Sequence, residues 1–188
     1  MKKKILVSLL ILFLLAIAGG IFWYWQNQKD VREINKTLPE GVKVAKSLFG
    51  KDYTVVNKID GYEFKVPEAW NGIKEIEYIS EVTESGYTAS SIDLEGAEGG
   101  STVTVINKFI IEDRDVELKN WAESFFKIFG LIGEFSGEKI GEFEIMKTTE
   151  EKHLVGMYVV FFRKNQTIYR IINGSEEFIQ EIILNGKW

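Results

Sequence analysis

The N-terminus of this chain of 188 residues is an apolar segment long enough to cross a membrane as a helix. Residues 5–25 carry no charged side chain, and only Ser8, Gly19 and Gly20 interrupt the apolar run. As a helix rising about 1.5 Å per residue, the segment is about 32 Å long, which matches a hydrocarbon core of about 30 Å. The sequence therefore predicts that residues 1–25 form a transmembrane signal-anchor.

The flanks of this segment predict its direction in the membrane. Basic residues before a first membrane helix favour the cytoplasmic side, and aromatic rings favour the headgroup layer at the other end. The residues that carry this prediction are Lys2, Lys3, Lys4, Phe22, Trp23, Tyr24 and Trp25. We therefore expect a single-pass protein of the cell membrane, with a cytoplasmic N-terminus and an extracytoplasmic C-terminal domain.

A cleaved signal peptide is the alternative to this anchor. Ala16 and Ala18 fit the small-residue rule for a cleavage site. Cleavage after Ala18 would leave an exposed apolar stub that ends at Trp25, which favours the uncleaved anchor.

The remainder divides into a linker and one domain. Residues 26–50 read as a polar stalk, with a short helix predicted from apolar residues at helical spacing. Residues 51–188 are long enough to bury roughly two-thirds of their unfolded surface without cross-links, and the chain has no Cys. The residues that predict the short helix are Val42, Ala45, Leu48 and Phe49.

Within residues 51–188 the pattern predicts an α+β fold. Alternating apolar residues indicate strands joined by short turns, hence an antiparallel sheet of about six to seven strands with helices packed on its faces. Asp115 and Ser175 are positioned to cap the two predicted helices. The predicted strands cover residues 62–66, 74–82, 87–94, 102–110, 143–149, 154–163 and 167–172.

Charge narrows the range of partners. The chain carries a formal charge of -5, with 20 basic and 28 acidic side chains beyond residue 25. An acidic domain lacks the basic surface that nucleic-acid binding needs, and its net charge does not favour anionic headgroups. The expected partners are the membrane, through the N-terminal helix, and a protein at the cell surface.

Few residues suggest catalysis or metal binding. His153 is the only His and there is no Cys, so most zinc sites are unavailable. No nucleophile elbow is present, and we predict no catalytic residue, metal or cofactor. Three further groups favour structural or solvent-exposed roles: the acidic residues Glu95, Glu98, Glu112, Asp113 and Asp115, the Gly-rich hairpin loop of residues 95–100, and Trp70 with Trp121 in the core.

The segment of residues 61–70 ends a strand with Pro67 and follows it with Trp70 three residues later. This segment resembles the opening of the Mog1/PsbP-like superfamily. The Trp121 helix, a strand start at Gly141, the strands of Tyr158 and Tyr169 and the closing helix fall in the order expected of that group. The resemblance implies an α/β/α sandwich and an accessory or assembly role. The His-containing metal sites of the photosystem members have no match in a chain with one His.

Together these features predict an anchored accessory or binding module that acts through protein–protein or small-ligand contacts. An extracytoplasmic hydrolase using two carboxylates is the alternative, and would show a cleft holding a pair of acids. A third possibility is a cleaved, secreted form of the same domain.

Overall fold

The computed structural model describes residues 2–48, 52–84, 87–97, 103–111, 116–128, 135–148, 158–173 and 175–188. Within these residues the chain forms four α-helices and ten strands, with a 3-10 helix at Glu68–Trp70. The helices are α1 (Lys2–Asn27), α2 (Lys29–Asn35), α3 (Leu118–Ile128) and α4 (Glu176–Asn185).

The strands form two antiparallel sheets. The first three make a small sheet in the order β1-β2-β3, and the other seven make a central sheet in the order β4-β5-β6-β10-β9-β8-β7. The small sheet contains β1 (Val42–Lys46), β2 (Tyr53–Asn57) and β3 (Tyr62–Lys65). The central sheet contains β4 (Ile73–Glu84), β5 (Tyr87–Gly96), β6 (Val103–Ile110), β7 (Phe135–Ile140), β8 (Phe143–Thr148), β9 (Tyr158–Lys164) and β10 (Thr167–Asn173).

Different layers cover the two faces of the central sheet. Ile92, Ile106 and Phe162 point from one face into a core shared with the small sheet and α4. Phe109 and Phe161 point from the other face into a core shared with α3. Because successive strand residues point to opposite faces, the uninterrupted apolar run of β9 supplies both cores.

Helix α3 fits this second face because its apolar residues recur at helical spacing. Leu118, Trp121, Ala122 and Phe125 are all buried. The ring of Trp121 lies 5.2 Å from that of Phe125 and 5.7 Å from that of Phe161, measured between centroids. The helix thus packs on the sheet through an aromatic cluster.

The structure confirms the α+β class and the antiparallel sheet. Ser175 caps α4, because its side chain accepts a hydrogen bond from the backbone N–H of Phe178 at 3.4 Å. The capping role predicted for Asp115 lies outside the described residues.

Two expectations need correction. The short helix predicted within residues 37–50 is wrong, since Val42–Lys46 is strand β1. Its residues at positions 42 and 44 are buried while those at 43 and 45 are exposed, which is a strand alternation. The predicted strand of residues 62–66 is real as β3 but belongs to the small sheet rather than the central one, and β7 was missed.

Candidate functional site

Helix α1 is continuous from Lys2 to Asn27, through Gly19 and Gly20. Within its segment Val7–Asn27, a window of 18 residues has a mean hydropathy of 2.3, and none of that window is buried within the protein. A helix of this length and composition, near the N-terminus, is compatible with single-pass membrane anchoring. Phe22, Trp23, Tyr24 and Trp25 are all exposed on its last turns.

Helical hydrogen bonding continues from α1 into α2. The Gln28 N–H donates to the Tyr24 carbonyl and the Arg32 N–H to the Gln28 carbonyl, both at 3.1 Å. The Arg32 guanidinium also donates to the Trp25 carbonyl at 2.7 Å and lies 4.4 Å from the centre of the Trp25 ring. The apolar helix is therefore joined to α2 without an extended linker.

Helix α2 is built into the domain. Val31 is 5% exposed and belongs to the core of the small sheet. The Asn35 side chain pairs with the free edge of β1: its Nδ2 donates to the Val44 carbonyl at 2.9 Å, and its Oδ1 accepts from the Val44 N–H at 2.7 Å. The amide thus satisfies backbone groups that an edge strand leaves unpaired. Residues 29–46, predicted as a stalk, contribute to the fold of the domain.

A charged group completes this junction. Asp30 accepts hydrogen bonds from the Tyr53 hydroxyl and, at 3.0 Å, from the Lys46 ammonium. Partial burial alone would raise the pKa of Asp30, but these hydrogen bonds and the Lys46 charge outweigh it and lower that pKa. Burial and the bond to Asp30 raise the pKa of Tyr53. The three side chains hold α2, β1 and β2 together.

A groove of about 730 Å³ lies at one end of the central sheet. Ala89, Ile111 and Trp121 give it an apolar floor, and all three are buried. Ile110 stands at the rim with 74% of its surface exposed. The volume falls within the range of about 300–1,000 Å³ that small-molecule sites occupy.

One wall of the groove carries an ion pair. Lys108 on β6 lies 3.7 Å from the Asp60 carboxylate, and its ammonium donates to the Asp60 carbonyl at 2.7 Å. The buried Asn57 fixes Asp60 from beneath, donating to its carboxylate at 2.7 Å and accepting from its N–H at 3.0 Å. The pair therefore has a defined position in the lining of the groove.

Tyrosines surround the same carboxylate. Burial, with the negative charge of Asp60, raises the pKa of Tyr169 to about 12. Burial also raises the pKa of Tyr78, reinforced by the charge and hydrogen bonding of Asp60. The pKa of Tyr62 is raised for the same principal reason, its burial. These hydroxyls therefore stay protonated and uncharged at neutral pH.

A second groove of about 710 Å³ lies beside the start of α3. Glu117 and Glu144 both line it, together with Arg163. The Arg163 guanidinium donates to the carbonyls of Asn165 at 2.8 Å and Val116 at 2.7 Å. The hydrolase hypothesis predicts a cleft that holds a pair of acids, and it stays a prediction.

The remaining residues singled out in the sequence have varied positions. Trp70 and Trp121 lie in the core as expected, at 1% and 5% exposure. Glu95 and Gly96 belong to β5 rather than to a loop, and Glu95 pairs with Lys74 at 2.5 Å. No local sequence pattern indicates the Asp60–Lys108 pair, because the two residues lie 48 positions apart in the chain. His153, Glu98, Glu112, Asp113 and Asp115 lie outside the described residues.

Among the described residues, no group of three or more His, Cys, Asp or Glu side chains is placed to hold a metal ion. The side chains of Lys2, Lys3 and Lys4 also lie outside the description, although their backbone belongs to α1. Comparison with protein-family models, with curated proteins and with solved structures finds no match to this chain.

Proposed function

We propose that the protein is a membrane-anchored, extracytoplasmic accessory or binding module whose ligand occupies the groove at the end of the central sheet. The observation that carries this proposal is the combination of an apolar floor with the fixed Asp60–Lys108 pair at its wall. Ligand sites typically join apolar surface with a few placed polar groups that set orientation.

The ligand that fits this groove is amphipathic. An apolar group packs on Trp121 and Ile110, and a polar group reaches Lys108 and the hydroxyls of Ser80 and Thr88. A protruding segment of a partner protein and a small molecule both meet this description. The resemblance of residues 61–70 to Mog1/PsbP-like proteins, itself a proposal, supports an accessory role.

Anchoring by α1 places the groove outside the cytoplasm. Lys2, Lys3 and Lys4 favour a cytoplasmic N-terminus, and the aromatic residues 22–25 favour the opposite headgroup layer. The intact mass of the protein extracted from its native membrane tests this part. A full-length mass is expected, whereas loss of residues 1–18 would show that the segment is a cleaved signal peptide.

Site-directed crosslinking tests the groove, and the absence of native Cys makes it specific. A benzophenone attached to Thr88→Cys lies at the rim, while the same label on Glu177→Cys lies on α4, outside the groove. In native membranes we expect a discrete adduct from position 88 and not from position 177, with its identity given by mass spectrometry.

The substitution Ser80→Trp narrows the groove without touching its buried floor, since Ser80 is exposed. Added to the Thr88→Cys protein, it should abolish the adduct while leaving the unfolding transition in place. An adduct that persists in the Ser80→Trp protein, or that forms equally from position 177, would refute the groove as the binding site.

A further inference from the structure

Charge is unevenly distributed along the domain. Residues 26–58 contain seven Lys or Arg and four Asp or Glu, a net charge of +3. Residues 59–188 contain 13 basic and 24 acidic side chains, a net charge of -11. The overall acidity of the chain thus hides a basic segment next to the apolar helix.

The fold places part of this basic segment, namely α2 and the end of β1, at the exit of α1. Gln28 is the one residue between α1 and α2, so Lys29 follows the apolar helix directly. The Asn27 side chain donates to the Leu48 carbonyl at 3.3 Å, and the Gln28 side chain to the Lys46 carbonyl at 3.4 Å. The end of β1 and Leu48, which is 46% exposed, therefore lie level with the end of the membrane helix.

Basic side chains outnumber acids at this exit, where Lys29, Arg32, Lys36 and Lys46 stand against Asp30 and Glu33. Lys46 neutralises Asp30 at 3.0 Å, and Lys36 neutralises Glu33 at 2.8 Å. Lys29 is exposed and, within the described residues, lies in no ion pair of 4 Å or less, although its charge and that of Arg32 both help to lower the pKa of Glu33. Arg32 is held on the ring and the carbonyl of Trp25, neither of which carries a negative charge.

We propose that Lys29, Arg32 and Leu48, which we call the juxtamembrane face, bind the headgroup layer of anionic phospholipids. A phosphate needs cationic donors at headgroup depth, which Lys29 and Arg32 supply. Leu48 adds an exposed apolar side chain level with the end of α1, and the Trp25 ring suits the same interface. The basic segment faces the lipid surface and the acidic remainder is repelled from it.

The net charge alone suggested that an acidic domain has no attraction to anionic headgroups. The distribution of charge along the chain instead predicts such an attraction at the juxtamembrane face. Electrostatic attraction to a membrane acts within about a Debye length, roughly 10 Å at 0.1 M salt. Only the charges nearest the surface therefore count, and at the exit of α1 these include Lys29, Asp30, Arg32 and Lys46. The inference rests on the proposed anchoring by α1 and is independent of the groove.

Full-length protein in lipid nanodiscs tests the proposal. A fluorophore on Ala45→Cys reports from the exposed side of β1 and leaves the juxtamembrane face intact. The discs contain phosphatidylcholine alone or a mixture with phosphatidylglycerol, each with a small fraction of headgroup-spin-labelled lipid as quencher. We expect about twofold stronger quenching in the anionic discs, reduced by high salt. A label on Ile110→Cys should respond to neither change.

Charge reversal at Lys29 separates specific binding from proximity. Lys29→Glu should remove most of the difference between anionic and neutral discs, whereas Lys127→Glu, at an exposed position on α3, should preserve it. Equal quenching in both lipids, or equal effects of the two substitutions, would overturn the proposal. Failure of the chain to enter discs would instead refute anchoring, which distinguishes the two claims.

Discussion

Polar and apolar side chains occur together both at the junction between α2 and β1 and in the groove at the end of the central sheet. At the junction they contact other parts of the protein, whereas in the groove several of them face solvent. At the junction, the side chains of Asp30 and Asn35 bond to neighbouring elements and Val31 is buried. In the groove, Ile110 and the hydroxyl-bearing Thr88 face solvent.

The two regions differ in what their side chains contribute, which is stability at the junction and contact with a ligand in the groove. A polar group that bonds another element raises stability and offers little to a ligand, because an intramolecular partner already satisfies it. An exposed apolar side chain next to a fixed ion pair contributes little to stability and is available for contact. The junction should therefore respond to substitution through stability, and the groove rim through binding.

The largest expected effect is in the core beneath the groove. Trp121→Ala should lower the free energy of unfolding by about 3–5 kcal/mol, because a large buried ring is lost and leaves a cavity. Ile128→Ala on the same helix is the matched control, since Ile128 is 56% exposed, and should change stability by less than about 0.5 kcal/mol. Urea unfolding followed by circular dichroism measures both, and equal effects would show that α3 does not pack as described.

A smaller effect is expected at the junction. Asn35→Ala leaves the N–H and carbonyl of Val44 without their partner and should cost about 1–3 kcal/mol. Asn120→Ala removes an exposed side-chain bond to Glu117 and should be nearly neutral. The same unfolding measurement compares them. A neutral Asn35→Ala would mean that the edge of β1 does not depend on α2.

Alkaline pH should weaken the tyrosine cluster behind the groove. The unfolded chain releases the Tyr169 proton near its ordinary pKa of 10.0, while the folded protein holds it to about 12. The contribution to stability is therefore complete below pH 10 and is lost as the pH rises towards 12. The denaturant concentration at the unfolding midpoint should be lower at about pH 11 than at about pH 9.

The Asp60→Asn protein tests the cause of this pH dependence. Removal of the negative charge should lower the pKa of both Tyr78 and Tyr169, because Asp60 contributes to raising each of them. Phenolate absorbance measured against pH reports the change. An unchanged titration would leave burial as the sole cause.

The smallest effect on stability is expected at the groove rim. Ile110→Ser should change the free energy of unfolding by less than about 0.5 kcal/mol, because the side chain is 74% exposed. The same substitution should weaken the adduct formed from the labelled position 88. If Ile110→Ser lowered the free energy of unfolding and left the adduct unchanged, the groove rim would contribute to stability, as the junction does, rather than to binding.

Local signals in the sequence predicted many of the elements. The spacing of Leu118, Trp121 and Phe125 indicated α3, and Ser175 marked the start of α4. Period-two alternation located β4 and β5, whose strand patterns are strong and long. The segment of β1 was misread because Val42, Ala45 and Leu48 also match helical spacing, and a strand of five residues shows too few alternations to decide.

The grouping of the strands into two sheets could not be predicted from local sequence patterns. β3 lies in a separate sheet because it pairs with β2, which in turn pairs with β1, and α4 and the central sheet bury the inner face of this small sheet. The Asp60–Lys108 pair depends on that packing, since it joins a turn of the small sheet to β6. No local pattern encodes a contact between residues so far apart.

Local sequence patterns are enough to establish the apolar helix, its flanking charges and aromatic rings, and the α+β class. These follow from periodicity, composition and length, which act on neighbouring residues. The tertiary structure alone decided that α2 belongs to the domain, that Asp60 meets Lys108, and that Lys29 and Leu48 lie level with the end of α1. Burial and pairing depend on which distant segments of the chain meet, and only the packing of the whole chain determines those contacts.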